Sequence, residues 1–139
     1  MLDTTALINA VDRLADRLRA TPQSALLKGA AAEGLALARE LARRAQLLEC
    51  PGRAPYEVPE GGIFSVGDQL AVAGHDLAEA LASHGGSGAE GGAQARRTRQ
   101  AEQMQQTQQA EQGLAEALAL VEEGTRRCGG SAVGPVGGR

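Results

Sequence analysis

The sequence predicts an all-α protein, an antiparallel bundle of three to four helices joined by one proline-rich connector. Three observations carry this. Apolar residues recur at three- and four-residue steps through four segments. Of 139 residues 27 are Ala and 17 Leu, against only 7 Val and 2 Ile, and the aromatics number two, Tyr56 and Phe64. Alanine is the best helix former, whereas strands favour the β-branched and aromatic residues that this chain lacks. Alanine also buries little area, so the core is expected to be thin and closely packed.

The first helix is expected over about 4–20. Leu7, Ile8, Val11, Leu14, Ala15 and Leu18 form its apolar face, and Asp12, Arg13, Asp16, Arg17 and Arg19 its polar one. Thr21-Pro22 reads as the start of a second helix, a capping hydroxyl followed by proline at the first helical position. That helix is expected over 22–49, stopping at Cys50-Pro51-Gly52. Leu27, Leu37, Leu41 and Leu48 fall on one stripe, and Ala30, Gly34, Ala38 and Ala42 form a ridge of small side chains that admits a neighbouring helix closely. A membrane dimerisation face is excluded by Lys28, Glu33, Arg39 and Glu40.

A third helix is expected over 66–84, after a Ser65 cap and with Asp68 in its first turn; Val66, Leu70, Ala73, Leu77, Ala80 and Leu81 make its apolar face. Residues 85–93 contain GGSGAEGG and read as a flexible linker. The fourth helix is expected over 94–128. From Leu114 onward, Leu118 and Val121 continue a core stripe, with Glu122–Arg126 and Glu123–Arg127 as favourable four-residue pairs. Its first half offers only Met104 and a few alanines for burial, which suits a solvated projecting helix or a disordered segment. Residues 1–128 then make one domain, and 129–139 a disordered tail.

Several function classes find little support. The net charge of −3, with both signs interspersed, creates no long-range field toward nucleic acid or an anionic membrane. The N-terminal residues carry Asp and Arg at helical spacing and do not resemble a signal peptide. No apolar run approaches the ~18 residues that a membrane span needs. Cys50 and Cys128 form no disulfide framework or metal spacing, so a cytoplasmic location with reduced thiols is expected. Cys50 is expected to be inert near a helix C-terminus, and Cys128 accessible before the tail.

The motifs are mostly structural. Gly86-Ser87-Gly88-Ala89-Glu90-Gly91 spells a dinucleotide fingerprint, but a helix precedes it where the turn chemistry requires a strand. His75 and Glu79 share a helix face near Asp68 and could donate to a metal, yet that stripe lies opposite the apolar face. A helical di-iron site would need a Glu-x-x-His step from each of two helices, which is absent from the sequence. Neither a catalytic residue nor a metal or other cofactor is therefore expected. Arg96, Arg97 and Arg99 could contact phosphates, making nucleic acid an alternative partner, although no aromatic lies there to stack on bases.

The weight falls on residues 50–64. Pro51, Pro55 and Pro59 stiffen the segment, and Tyr56, Val58, Ile63 and Phe64 give it apolar anchors. Two roles compete. The side chains fold back to close the end of the bundle between the second and third helices, with Phe64 the better plug; or they contact a partner, with Tyr56 the better exposed candidate. The expected function is association with another protein or with a further copy of itself, through Tyr56, Ile63 and Phe64.

Overall fold

In the computed structural model, which describes residues 2–84 and 93–133, the chain is all-α, with four helices and no strand among the described residues. Helix α1 spans Thr5–Arg19, α2 Ala31–Glu49, α3 Val66–His84 and α4 Ala93–Val133. The expected boundaries of α1 and α3 hold within a residue. Asp3 accepts a hydrogen bond from the Thr5 N–H at 3.0 Å, so the first turn of α1 is capped by that carboxylate and not by Thr4. Hydrogen bonding from the Thr5 side chain, and after it from the Thr5 backbone N–H, holds the Asp3 carboxyl below its usual range. The expected linker, 85–93, lies outside the described residues except for Ala93, which opens α4.

The second expected helix is broken. A single turn at Gln23–Ala25 leads into a π segment, Leu26–Ala30, in which Gly29 has φ 149°, and only then does α2 begin. Glycine adopts that backbone conformation without a Cβ clash. The break changes the helical phase: Leu26 and Ala30 are buried, while Leu27, expected on the core stripe, faces solvent. Thr21 does not cap the segment either; its hydroxyl donates to the Arg17 carbonyl of α1 at 2.6 Å.

Helix α4 runs through Val133, five residues past its expected end, and residues 134–139 of the expected tail lie outside the described residues. Its polar first half is helical. Among the described residues, every α4 side chain in or against the core lies at Ala110 or later. At its far end Glu123 pairs with both Arg126 and Arg127, and Arg127 also reaches Glu33 of α2 at 3.6 Å; the expected Glu122–Arg126 pair does not form.

Cross-helix pairs set the directions. Arg19–Asp68 and Asp12–His75, both 2.7 Å, run α1 and α3 antiparallel. Glu33–Arg127 and Arg44–Glu116 (2.7 Å) do the same for α2 and α4. The starts of α2 and α3 both meet the C-terminal end of α1: a Cβ at Gly34 would lie 2.6 Å from Val66 Cγ1 and 3.0 Å from Leu18 Cδ1. Helices α2 and α3 therefore run in the same direction, against α1 and α4. A parallel pair requires the chain to return along the bundle. Helix α2 rises about 28 Å, which the 13 connector residues before Ile63 span when extended at about 3.3 Å each.

The core is as thin as the composition implies. Leu7, Leu14, Leu41, Leu70, Leu77 and Leu81, with Val11 and Val121, are its largest fully buried side chains. Leu18, Leu26, Leu37 and Val66 add to them, and alanines supply the rest, among them Ala30 and Ala38 of the expected ridge together with Ala15, Ala73, Ala110 and Ala117. No helix among the described residues is long and apolar enough to cross a membrane.

Candidate functional site

The connector runs along the side of the bundle and does not close its end. Cys50-Pro51-Gly52 ends α2, and the Cys50 carbonyl accepts a turn hydrogen bond from the Arg53 N–H at 3.1 Å. From there the segment is held by side chains of the helices it crosses. Gln46 clasps the Tyr56 backbone from both sides, its amide nitrogen donating to the Tyr56 carbonyl (3.1 Å) and its oxygen accepting from the Tyr56 N–H (3.0 Å). Arg39 Nε donates to the Val58 carbonyl at 2.9 Å, and its guanidinium lies 3.9 Å from Glu57. Gln69 of α3 donates to the Pro59 carbonyl at 2.8 Å. The anchor moves down α2 from Gln46 to Arg39 as the connector moves from Tyr56 to Val58, so the strand-like segment has a fixed register against α2 without a partner strand.

The return ends at Gly62, whose φ of 95° turns the chain into a 3₁₀ turn, Ile63–Ser65, ahead of α3. Gln69 Oε1 is buried without a partner, the one such side-chain atom among the described residues, at a cost of about 1–3 kcal/mol. That cost falls where the connector is pinned to α3.

Because its backbone is bound on the inner side, the connector turns its aromatic side chains outward. Tyr56 is 71% exposed and Phe64 69% exposed. Phe64 is thus no plug; Ile63, half-buried and packed on the core, takes that position. Tyr56 also borders a groove of about 340 Å³ lined by Gln46, Glu49, Cys50, Arg53, Ala54 and Pro55. The surface offered is a rigid backbone, two large aromatic rings and one concave pocket, with Glu49, Arg53 and Glu57 around them.

The two cysteines differ in exposure, and Cys128, expected to be accessible, is the more covered. Cys50 is exposed, in the wall of that groove. Cys128 is half-buried against α2, its thiol 3.7 Å from the Ala30 carbonyl, and burial pushes its pKa up, with nearby Glu33 adding to the shift and Arg17 opposing it. Cys128 is covered because α4 continues past it to Val133 and packs there on the segment leading into α2.

The remaining candidates lie elsewhere and are not brought together. His75 bonds Asp12 across α1 and α3, and Asp68 pairs with Arg19. Among the described residues no three His, Cys, Asp or Glu side chains cluster as a metal site. Arg97 is exposed on the first half of α4, and positions 96, 97 and 99 lie around more than one side of that helix. A shallow depression of about 590 Å³ separates α1 from α4, with Arg13, Arg17 and Arg126 around an apolar floor of Leu14, Leu118 and Val121. Sequence reasoning missed this depression, because its two walls are more than 100 residues apart in the chain. Comparisons with protein-family models, with curated proteins and with solved structures find no match.

Proposed function

We propose that this protein acts without catalysis, by association with another protein that docks on the outer face of the connector. The observation supporting this reading is the exposure of Tyr56 and Phe64, the chain's only two aromatic residues, on a backbone already fastened by Gln46, Arg39 and Gln69. Large apolar side chains held out by a rigid segment lose little conformational freedom when a partner covers them. Tyrosine is among the residues most enriched in the few contacts that dominate binding energy. The groove beside Tyr56 would receive a small apolar side chain of the partner, with Arg53 and Glu57 at the rim. The two thiols are unpaired, which is consistent with the cytoplasm as the working compartment.

The test is capture of partners from a native lysate by wild type and by Tyr56→Ala/Phe64→Ala. Wild type retains a partner that the double variant loses, while the unfolding midpoint stays unchanged because neither ring supports the core. Equal capture by both proteins would remove the connector from the interface. Ile63→Ala is unsuited to this comparison, since Ile63 packs on the core and its loss perturbs the fold as well.

A further inference from the structure

The first half of α4 carries a symmetric pattern that the connector does not explain. Met104 is 67% exposed, well above the part of the helix that meets the bundle. Residues four and seven positions to either side share its helix face. These are Gln100 and Gln108, then Arg97 and Glu111, and all five side chains are exposed. Arg97 and Glu111 form no ion pair with another described residue. The stripe is thus a palindrome in spacing, with opposite charges at its two ends.

We propose that this stripe is a homodimer contact, in which α4 packs against α4 of a second copy in the reverse direction. A two-fold axis at Met104 places each Arg97 on the partner's Glu111, each Gln100 on the partner's Gln108, and Met104 on the partner's Met104. Every residue of the stripe finds its complement within the same stripe of the second copy, as a two-fold interface requires. The glutamine amides each donate and accept, and the flexible thioethers fill the centre. The parallel arrangement loses the charge pairing, because it sets Arg97 beside the partner's Arg97 and about 21 Å along the helix from the partner's Glu111. One helix face of that length falls below the roughly 1,200 Å² of standard protein interfaces, so the dimer is reversible and depends on concentration.

Sedimentation equilibrium of the full chain under reducing conditions, at low and high salt, tests the proposal. A monomer–dimer equilibrium is expected that weakens with salt. Arg97→Glu and Glu111→Arg each weaken it about tenfold, and the double reversal restores it. Circular dichroism verifies that the helix content is unchanged. Orientation is read in a Cys50→Ser/Cys128→Ser background. Gln100→Cys and Gln108→Cys proteins form a mixed disulfide when combined and little when oxidised separately. Monomer at all concentrations to about 1 mM, a dimer indifferent to both charge reversals, or efficient disulfides in the separate proteins would each overturn the assignment. Tyr56→Ala/Phe64→Ala leaves this dimer intact, so the connector reading and the dimer fail independently.

Discussion

Gly74 on α3 offers the sharpest test of the packing. It faces Val11 of α1, and a Cβ placed there would lie 2.5 and 2.6 Å from the two valine methyls and 3.0 Å from the valine Cβ. Carbon atoms pack best at about 3.5–4.0 Å, so Gly74→Ala must displace something by about 1 Å. Val11 cannot yield by rotation. It is fully buried, and a β-branched side chain in a helix has essentially one χ1 rotamer. The helices must separate instead, although Asp12–His75 beside the contact and Arg19–Asp68 about two turns away tie them. Overpacking of this kind costs about 1–3 kcal/mol, and here the upper part of that range applies. Alanine regains roughly 1 kcal/mol in helix propensity. The net expectation is destabilisation by about 1–2 kcal/mol, or a fall of a few degrees in the melting midpoint.

Urea unfolding followed by helical circular dichroism measures this, with Gly113→Ala as the comparison. A Cβ at Gly113 meets only the end of the Leu81 side chain, at 3.0 Å. That substitution is expected to stay within about 0.5 kcal/mol of wild type, since the propensity gain offsets a small adjustment. In a Val11→Ala background, Gly74→Ala should lose most of its cost, a coupling of at least about 1 kcal/mol between the two sites. A Gly74→Ala protein as stable as wild type would refute the close approach of α1 and α3.

Two further outcomes follow from the connector and the thiols. Gln46→Ala removes both hydrogen bonds to the Tyr56 backbone, so the Tyr56 amide should exchange with solvent at least tenfold faster, while global stability falls by about 1 kcal/mol or less; unchanged exchange would mean that the clasp does not hold the segment. Iodoacetamide at pH 8 should modify Cys50 well ahead of Cys128, as peptide mass mapping reports, since Cys50 is exposed whereas burial and Glu33 raise the Cys128 pKa; equal rates would contradict the packing of α4 on α2.

Much of the helical architecture was legible. The apolar periodicity of residues 4–20 and 66–84 located α1 and α3, and the small-residue ridge through Gly34 and Ala38 marked a close helix approach that the structure contains. The differences have separate physical causes. Periodicity puts Leu27 on the core stripe only if helical phase runs through Gly29, where a positive φ interrupts it. Of the two aromatics Phe64 is the better plug by sequence, because bulk normally moves inward, but the fastened connector directs it outward while the smaller Ile63 packs beneath. Gln46, Arg39 and Gln69 gave no signal as connector anchors, since their partners are backbone groups of residues 10 to 19 positions away.

The sequence by itself determined that this chain is helical, alanine-rich in its core and equipped with two aromatics in a stiff connector. Those properties are local: propensity, periodicity and proline act over a few residues. Tertiary structure decided that α2 and α3 run parallel, that the connector must return along their flank, and that Tyr56 and Phe64 consequently face outward. Helix direction depends on which faces pack together, and a connector long enough to span the bundle permits either direction. The packing of Gly34, Val66 and Leu18 at one end, with the ion pairs between helices, selects between them.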